Sequence, residues 1–283
     1  HKKIMPPELY EETYQNTNHF SFGKNWQSFL KHVDTTHLKK AEESLLTFLG
    51  GQEAIKGKTF VDIGCGSGLF SLAAFHLGAS RVVSVDIDTF SLRATEKLRH
   101  REGDPKHWTL VKGSALDAAF LDSLGTFDIV YSWGVLHHTG DMYRALDTIT
   151  RLTHPKSLLY IALYNKNIHR KLEGSSRLWL RIKRLYNRSG TMMKQCMATA
   201  YMGYFILGLI AHGKNPIRYI RSYRSARGMD WYHDILDWLG GYPYEYASPD
   251  EVINVFGAKG FGCVRLLARD SIACNEYLFK RLP

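Results

Sequence analysis

Three sets of residues in this 283-residue chain have types and spacing that could do chemistry. Asp62 stands two positions before the first of three alternating glycines, Gly64, Gly66 and Gly68. A second acid, Asp86, closes the apolar run Val82-Val-Ser-Val. Two adjacent histidines, His137 and His138, follow the run Phe127-Asp-Ile-Val-Tyr-Ser-Trp133. Glycine accepts φ > 0 and, lacking Cβ, lets main-chain N–H groups approach a bound ligand closely. Imidazole titrates near neutrality, so a histidine close to such a hinge is suited to taking a proton from a reacting hydroxyl. The same histidines could instead hydrogen-bond the backbone and shape a pocket. The four cysteines, Cys65, Cys196, Cys263 and Cys274, show no CxxC or metal-ligand spacing, so no metal site is expected.

These residues need elements to hold them. Phe60, Val61 and Ile63 read as a strand, the glycines as a tight turn, and Leu69 to Leu77 as a helix. The dinucleotide fingerprint needs its third glycine at position 69, which is leucine here, so a pyrophosphate ligand is disfavoured. A carboxylate at Asp62 also repels phosphate while suiting an ammonium group. Asp86, at the tip of a strand over Arg81 to Asp86, is placed to accept hydrogen bonds from ribose hydroxyls. A ligand with a ribose, an ammonium group and no phosphate is S-adenosylmethionine.

The order Val61-Asp-Ile-Gly-Cys-Gly-Ser-Gly68, Val85-Asp-Ile-Asp88 and Phe127 to Thr139 resembles the class I S-adenosylmethionine-dependent methyltransferases, and within them the branch of the ubiquinone and menaquinone methyltransferases. The resemblance is close from Phe60 to Leu163. It implies a doubly wound, Rossmann-like α/β sheet of seven strands that ends in an antiparallel hairpin. It also implies cofactor contacts at Asp62, Gly64, Cys65, Gly66, Gly68, Asp86, Ile87, Ser114, Ala115, Trp133 and Trp26, with Tyr164, Tyr242 and Tyr246 on the acceptor side. In the family an acid often follows the glycine at the position of Gly113; here Ser114 stands there. Adenine binding is then expected to rest on Ser114, on the Ala115 backbone or on Asp117.

The alternation of strand and helix accounts for residues 51–164 and 246–283 as the cofactor-binding core, with 1–50 as a helical segment leading into it. Phe20, Phe22 and Trp26 in that segment either wall the cofactor site or cover the sheet edge. Further strands are expected at Trp108 to Val111, Phe127 to Ser132, Ser157 to Leu163, Cys263 to Ala268 and Asn275 to Lys280. Helices are expected at Thr89 to Arg101, Met142 to Leu152 and from Ser248. Ser248-Pro-Asp-Glu251 carries a cap, a first-turn proline and an acid three positions on.

Residues 165–245 interrupt the pattern for longer than any ordinary loop. The net charge of +10 is concentrated there: Asn165 to Asp230 holds fourteen Lys or Arg against Glu173 and Asp230, while the rest of the chain is nearly neutral. Arg177, Arg181, Arg184 and Arg188 recur at helical spacing, with Leu178, Ile182 and Leu185 as the expected apolar stripe. Cys196 to Ala211 is uncharged but short of the ~20 residues a bilayer span needs, so it reads as a buried or an interfacial helix. The segment reads as a lid over a small-molecule acceptor, as an element docking on anionic lipid or a lipid-linked substrate, or as an RNA surface, the last resting on charge alone. The expected activity is methyl transfer to an oxygen or nitrogen of a small molecule, the alternative being a cofactor-binding protein without turnover. With no apolar leader among the first residues and no disulfide pattern, the expected location is cytoplasmic, with peripheral membrane contact as the variant.

Overall fold

A computed structural model describes residues 35–168, 174–227 and 231–283. Trp26, Phe20 and Phe22 lie outside these residues. The described residues form two compact units, one of Arg177–Tyr244, the other of the residues up to Ser176 together with Glu245–Pro283.

The larger unit is a seven-stranded sheet in the order β3-β2-β1-β4-β5-β7-β6. In chain order its elements are α1 (Thr35–Leu49), β1 (Thr59–Ile63), α2 (Leu69–His76), β2 (Arg81–Asp86), α3 (Thr89–Arg101), β3 (Trp108–Lys112), α4 (Ala118–Leu124), β4 (Phe127–Trp133), α5 (Met142–Thr148) and β5 (Thr153–Tyr164). The first five strands are parallel. Both faces of a parallel sheet are covered, which is why β1 and β2 are buried almost throughout. Val61 and Ile63 pack into the core that contains Leu146 and Phe279, whereas Phe60 joins the core beneath α1 and α2 with Leu45 and Leu72. The side-chain period of two therefore puts Asp62 on the α1–α2 side.

The smaller unit is helical: α6 (Ser176–Arg188, entering from the last residue of the larger unit), α7 (Thr191–Ala211), α8 (Pro216–Arg227) and α9 (Trp231–Gly240). The chain then returns through α10 (Pro249–Gly257), where Ser248 and Glu251 form the expected capping box. It closes with β6 (Phe261–Leu267) and β7 (Cys274–Arg281), the latter antiparallel to β5. This is the expected doubly wound sheet with its terminal hairpin.

Three local expectations are corrected. The helix expected over Met142 to Leu152 is α-helical only to Thr148 and finishes as a 3-10 turn at Leu152. β5 starts at Thr153, before His154-Pro155, because a register shift against β4 places the proline in a bulge with Lys156 at φ 77°. In α6 the residues turned inward are Trp179, Lys183 and Tyr186, while Leu178 and Leu185 are exposed on the same face as the arginines.

Candidate active site

The glycine hinge joins β1 to α2 at the carboxyl edge of the sheet, where open α/β folds bind ligands. Gly64, Gly66 and Gly68 have φ of 78°, 55° and 80°. A Cβ on Gly64 would lie 2.4 Å from the Val135 methyls, and one on Gly68 2.6 Å from Thr95 Cγ2, so at these two positions the absent side chain is also a steric need. The Gly64 and Cys65 N–H groups donate to the Val85 carbonyl at 2.8 and 3.0 Å. Gly66 N–H donates to Asp86 Oδ2 at 2.9 Å, and the other oxygen of that carboxylate accepts from Asp88 N–H at 2.8 Å. Asp86 thus clasps the hinge from the neighbouring strand tip.

Asp62 is placed differently from expectation. It is 2% exposed and sits beneath the hinge rather than at its surface. Its Oδ2 accepts from Ser71 Oγ at 2.7 Å, Ser84 Oγ donates to Ser71 Oγ at 2.7 Å, and Trp108 Nε1 donates to Ser84 Oγ at 2.9 Å. The relay spans α2, β2 and β3, and sequence reading passed over all three donors. Their one signal is polar side chains inside otherwise apolar runs.

The two acids share an electrostatic situation. Burial pushes the Asp62 carboxyl up to about 7, opposed by the Ser71 hydroxyl and reinforced by the charge on Asp86. Burial likewise raises Asp86 to about 6, against the N–H groups of Asp88 and Gly66. Among the described residues neither acid has a cationic partner within ion-pair distance. Two buried carboxyls beside a backbone cradle, in a hinge without Lys or Arg, fit a cationic ligand and not a phosphate.

The remaining expected cofactor residues divide. Cys65 contributes only backbone to the hinge, its Sγ packing 3.4 Å from Thr95 Oγ1. Ile87 is half-buried beside Asp86, and Trp133 is exposed at the end of β4. Ser114 Oγ accepts from Leu116 N–H at 3.1 Å, and Ala115 is buried with its carbonyl accepting from Thr148 Oγ1. Asp117 caps α4, accepting Phe120 N–H at 3.1 Å, so its carboxylate is held by the helix start instead of reaching back to a base.

Beyond β4 the chain brings His137, His138 and Tyr164 together. The ring of Tyr164 lies 4.0 Å from that of His137 and 5.5 Å from that of His138. The histidines are not equivalent. His137 is fully buried, its Nδ1 accepts the Tyr164 N–H at 3.2 Å and its carbonyl accepts the Glu245 N–H at 3.0 Å. An imidazole so placed is part of the scaffold, which leaves half-buried His138 as the one at the rim. Tyr246 is half-buried on the segment whose Ala247 N–H pairs with the Tyr164 carbonyl at 3.1 Å. Tyr242 belongs to the smaller unit and is half-buried there. Glu245, also unanticipated, accepts the Met142 N–H at the start of α5.

The model of a methyltransferase domain family matches residues 61–161. Over 108 residues the chain is 39% identical to a ribosomal protein L11 methyltransferase of Thermotoga maritima, which is 38% of this chain and 37% of that protein. A second such enzyme, from Alteromonas mediterranea, is 60% identical over 47 residues, 17% of this chain and 16% of that protein. The chain therefore matches little more than a third of the length of the first of these curated relatives and about a sixth of the second. In the solved structures, magnesium protoporphyrin IX methyltransferase from Synechocystis PCC 6803 with bound SAH superposes with a TM-score of 0.54 at 15% identity, covering 98% of this chain and 100% of that one. The same enzyme with bound SAM gives 0.53 at 12% identity, covering 99% of each chain. At such identity the likeness is one of fold, and the matches support the superfamily without singling out its quinone-biosynthesis branch. Residues 61–161 are a methyltransferase domain, and the chain that carries them has the class I fold of the S-adenosylmethionine-dependent methyltransferases.

Proposed function

We propose that the chain transfers a methyl group from S-adenosylmethionine to an oxygen or nitrogen of a small-molecule acceptor. The observation that carries this reading is the pair of buried carboxyls, Asp62 and Asp86, set around a positive-φ glycine hinge with no ion-paired cation among the described residues to neutralise them. Bound there, the cofactor supplies an electrophilic methyl on a sulfonium. Gly64, Gly66 and Gly68 let main chain approach it, Asp86 fixes the hinge and presents its carboxylate towards the ribose, and Asp62 supplies negative charge from below.

On the acceptor side His138 takes the proton as the nucleophile reacts, a step that typically contributes 10²- to 10⁴-fold. His137 holds the Tyr164 backbone and so sets where that ring stands beside His138. Tyr164 and Tyr246 offer half-buried rings, suited to a compact aromatic or apolar acceptor more than to an extended polypeptide. The methyltransferase domain model matches residues 61–161, and Arg177–Tyr244 and Tyr246 lie beyond that match. Acceptor choice rests on those parts.

The test is incubation of the full chain with methyl-labelled S-adenosylmethionine and two fractions of a cell extract, one of small molecules and one of proteins and ribosomes. Label in the low-mass fraction is expected. Label confined to protein overturns the small-molecule acceptor, and cofactor binding without transfer to either fraction makes the chain a binding protein.

A further inference from the structure

Where the chain re-enters the larger unit, one residue makes contacts that the account of methyl transfer above does not use. Glu245 is the first residue after Tyr244 and is half-buried. Its backbone N–H donates to the His137 carbonyl at 3.0 Å. Beyond His138 in the loop, its two carboxylate oxygens each accept the Met142 N–H at 3.1 Å. One residue thus holds the loop 137–142 on either side of His138.

That loop needs an external tie. Gly134 and Gly140 flank His138 with φ of 75° and 80°, and glycine gives the backbone little stiffness of its own. Within the loop His138 N–H donates to the Val135 carbonyl at 2.9 Å and Thr139 Oγ1 to that of Leu136 at 2.8 Å, which shapes the turn without attaching it to the sheet. Glu245 stands on a segment that is attached. Ala247 N–H donates to the Tyr164 carbonyl at 3.1 Å, and Lys166 N–H donates to the Ala247 carbonyl at 3.0 Å, so the segment is stitched to the end of β5 and beyond it.

Helix capping does not account for the carboxylate. α5 has its cap in Asp141, whose Oδ1 accepts the Arg144 N–H at 3.3 Å. Nor does stability account for it. Burial raises the Glu245 carboxyl above its ordinary 4.5, against the N–H groups of Met142 and Gly140 and with the charge of Asp141 adding to the rise. A carboxyl raised in this way is ionised at a cost to the fold, as acids at working sites often are.

We propose that Glu245 is a positioning residue for methyl transfer, fixing the loop on both sides of His138 and so setting where that imidazole stands at the rim. The inference rests on the reading of His138 as the group that takes the acceptor's proton. Glutamine at this position keeps the shape but replaces one accepting oxygen with an NH₂ donor, so one of the facing N–H groups loses its partner. Misplacing a reacting group by about 1 Å costs up to ~10²-fold, and with one acceptor retained the expected loss in E245Q is roughly tenfold.

Two measurements on the full chain test this. The first follows the His138 ring by NMR with histidine labelled at the Cε1 carbon, the signal being assigned by its absence in H138A. In E245Q it should shift or broaden while that of exposed His100 on α3 stays in place. The second measures initial rates with labelled S-adenosylmethionine against dilutions of the small-molecule fraction of a cell extract, for the parent, E245Q, H138A and the double variant. E245Q should lower the apparent kcat roughly tenfold with the thermal midpoint and the affinity for S-adenosylhomocysteine unchanged, and it should cost nothing further in the H138A background. An unmoved His138 signal overturns the proposal. So does an E245Q loss as large in H138A as in the parent, because Glu245 would then act by a route other than His138. H138A turnover equal to that of the parent, with the His138 signal displaced in E245Q, overturns instead the reading of His138 as proton acceptor.

Discussion

Replacing Asp62 by asparagine should make the cofactor-free protein more stable at neutral and alkaline pH while impairing cofactor binding. The reasoning runs from its burial. Folding takes a carboxyl with an ordinary value of 3.8 and raises it to about 7 by removing it from water. Between those values the folded state holds a proton that the unfolded state has released, so stability falls as pH rises through that window and stays low above it. Three units at ~1.4 kcal/mol each amount to about 4 kcal/mol of strain at pH 8. Asparagine keeps the shape and an oxygen for the Ser71 hydroxyl, and it carries no charge. Urea unfolding at pH 5 and pH 8 measures the effect. The parent should lose stability between the two, whereas D62N should lose distinctly less and exceed the parent at pH 8. The same variant should bind S-adenosylmethionine at least tenfold more weakly, for want of the charge beneath the hinge. A D62N protein less stable than the parent at pH 8 would refute the argument that this acid is held at a cost for the sake of a cationic ligand.

Cofactor affinity should itself depend on pH, because Asp86 at about 6 and Asp62 at about 7 must be ionised to attract a cation. Calorimetry should show the dissociation constant rising as pH falls below 7, approaching tenfold per unit for each proton taken up. Gly64→Ala should destabilise the fold by about 1–3 kcal/mol, since its Cβ meets Val135 at 2.4 Å with φ at 78°, and Val135→Ala should restore part of the loss in thermal melts. His138→Ala should lower kcat by roughly 10²-fold or more with cofactor affinity unchanged, whereas His137→Ala should show up first as a lower thermal midpoint, because that ring is buried and hydrogen-bonded. In the smaller unit, burial lowers the Lys183 ammonium to about 7, with Asp237 opposing the shift. Below that value its charge must be carried in a buried site, so Lys183→Met should raise the unfolding midpoint at pH 6 and raise it less at pH 9.

The core was readable because its determinants are local and contiguous. Three glycines at alternate positions admit few conformations, and the apolar runs on either side have the lengths of a strand and a helix. Where determinants come from several elements the sequence is mute. The orientation of Asp62 depends on Ser71, Ser84 and Trp108, which no spacing rule connects. The inequality of His137 and His138 follows from a Tyr164 backbone contact and from Glu245, a residue on the far side of an eighty-residue excursion. The helix α4 has only seven residues and its one sequence signal is the Asp117 cap, a residue type equally suited to a ligand contact.

The α6 helix shows a different limit. Its arginine spacing is plain in the sequence, but the inward stripe contains Lys183, whose Nζ donates to the Trp238 carbonyl and sits 4.0 Å from the Trp238 ring and 5.0 Å from that of Tyr244. Hydropathy assigns a lysine to solvent and puts Leu178 and Leu185 in its place. Rings and a carbonyl roughly fifty to sixty residues further along the chain reverse that choice.

The most direct test of the central claim is isothermal titration of the full chain with S-adenosylhomocysteine and with NAD, at pH 8 and with folding verified in the same sample. Binding of the first, lost or strongly weakened in D86N, together with no binding of the second, is the predicted result. A folded chain that gives no heat with S-adenosylhomocysteine, or that prefers the dinucleotide, would contradict the assignment of the glycine hinge and its two acids to an adenosyl sulfonium.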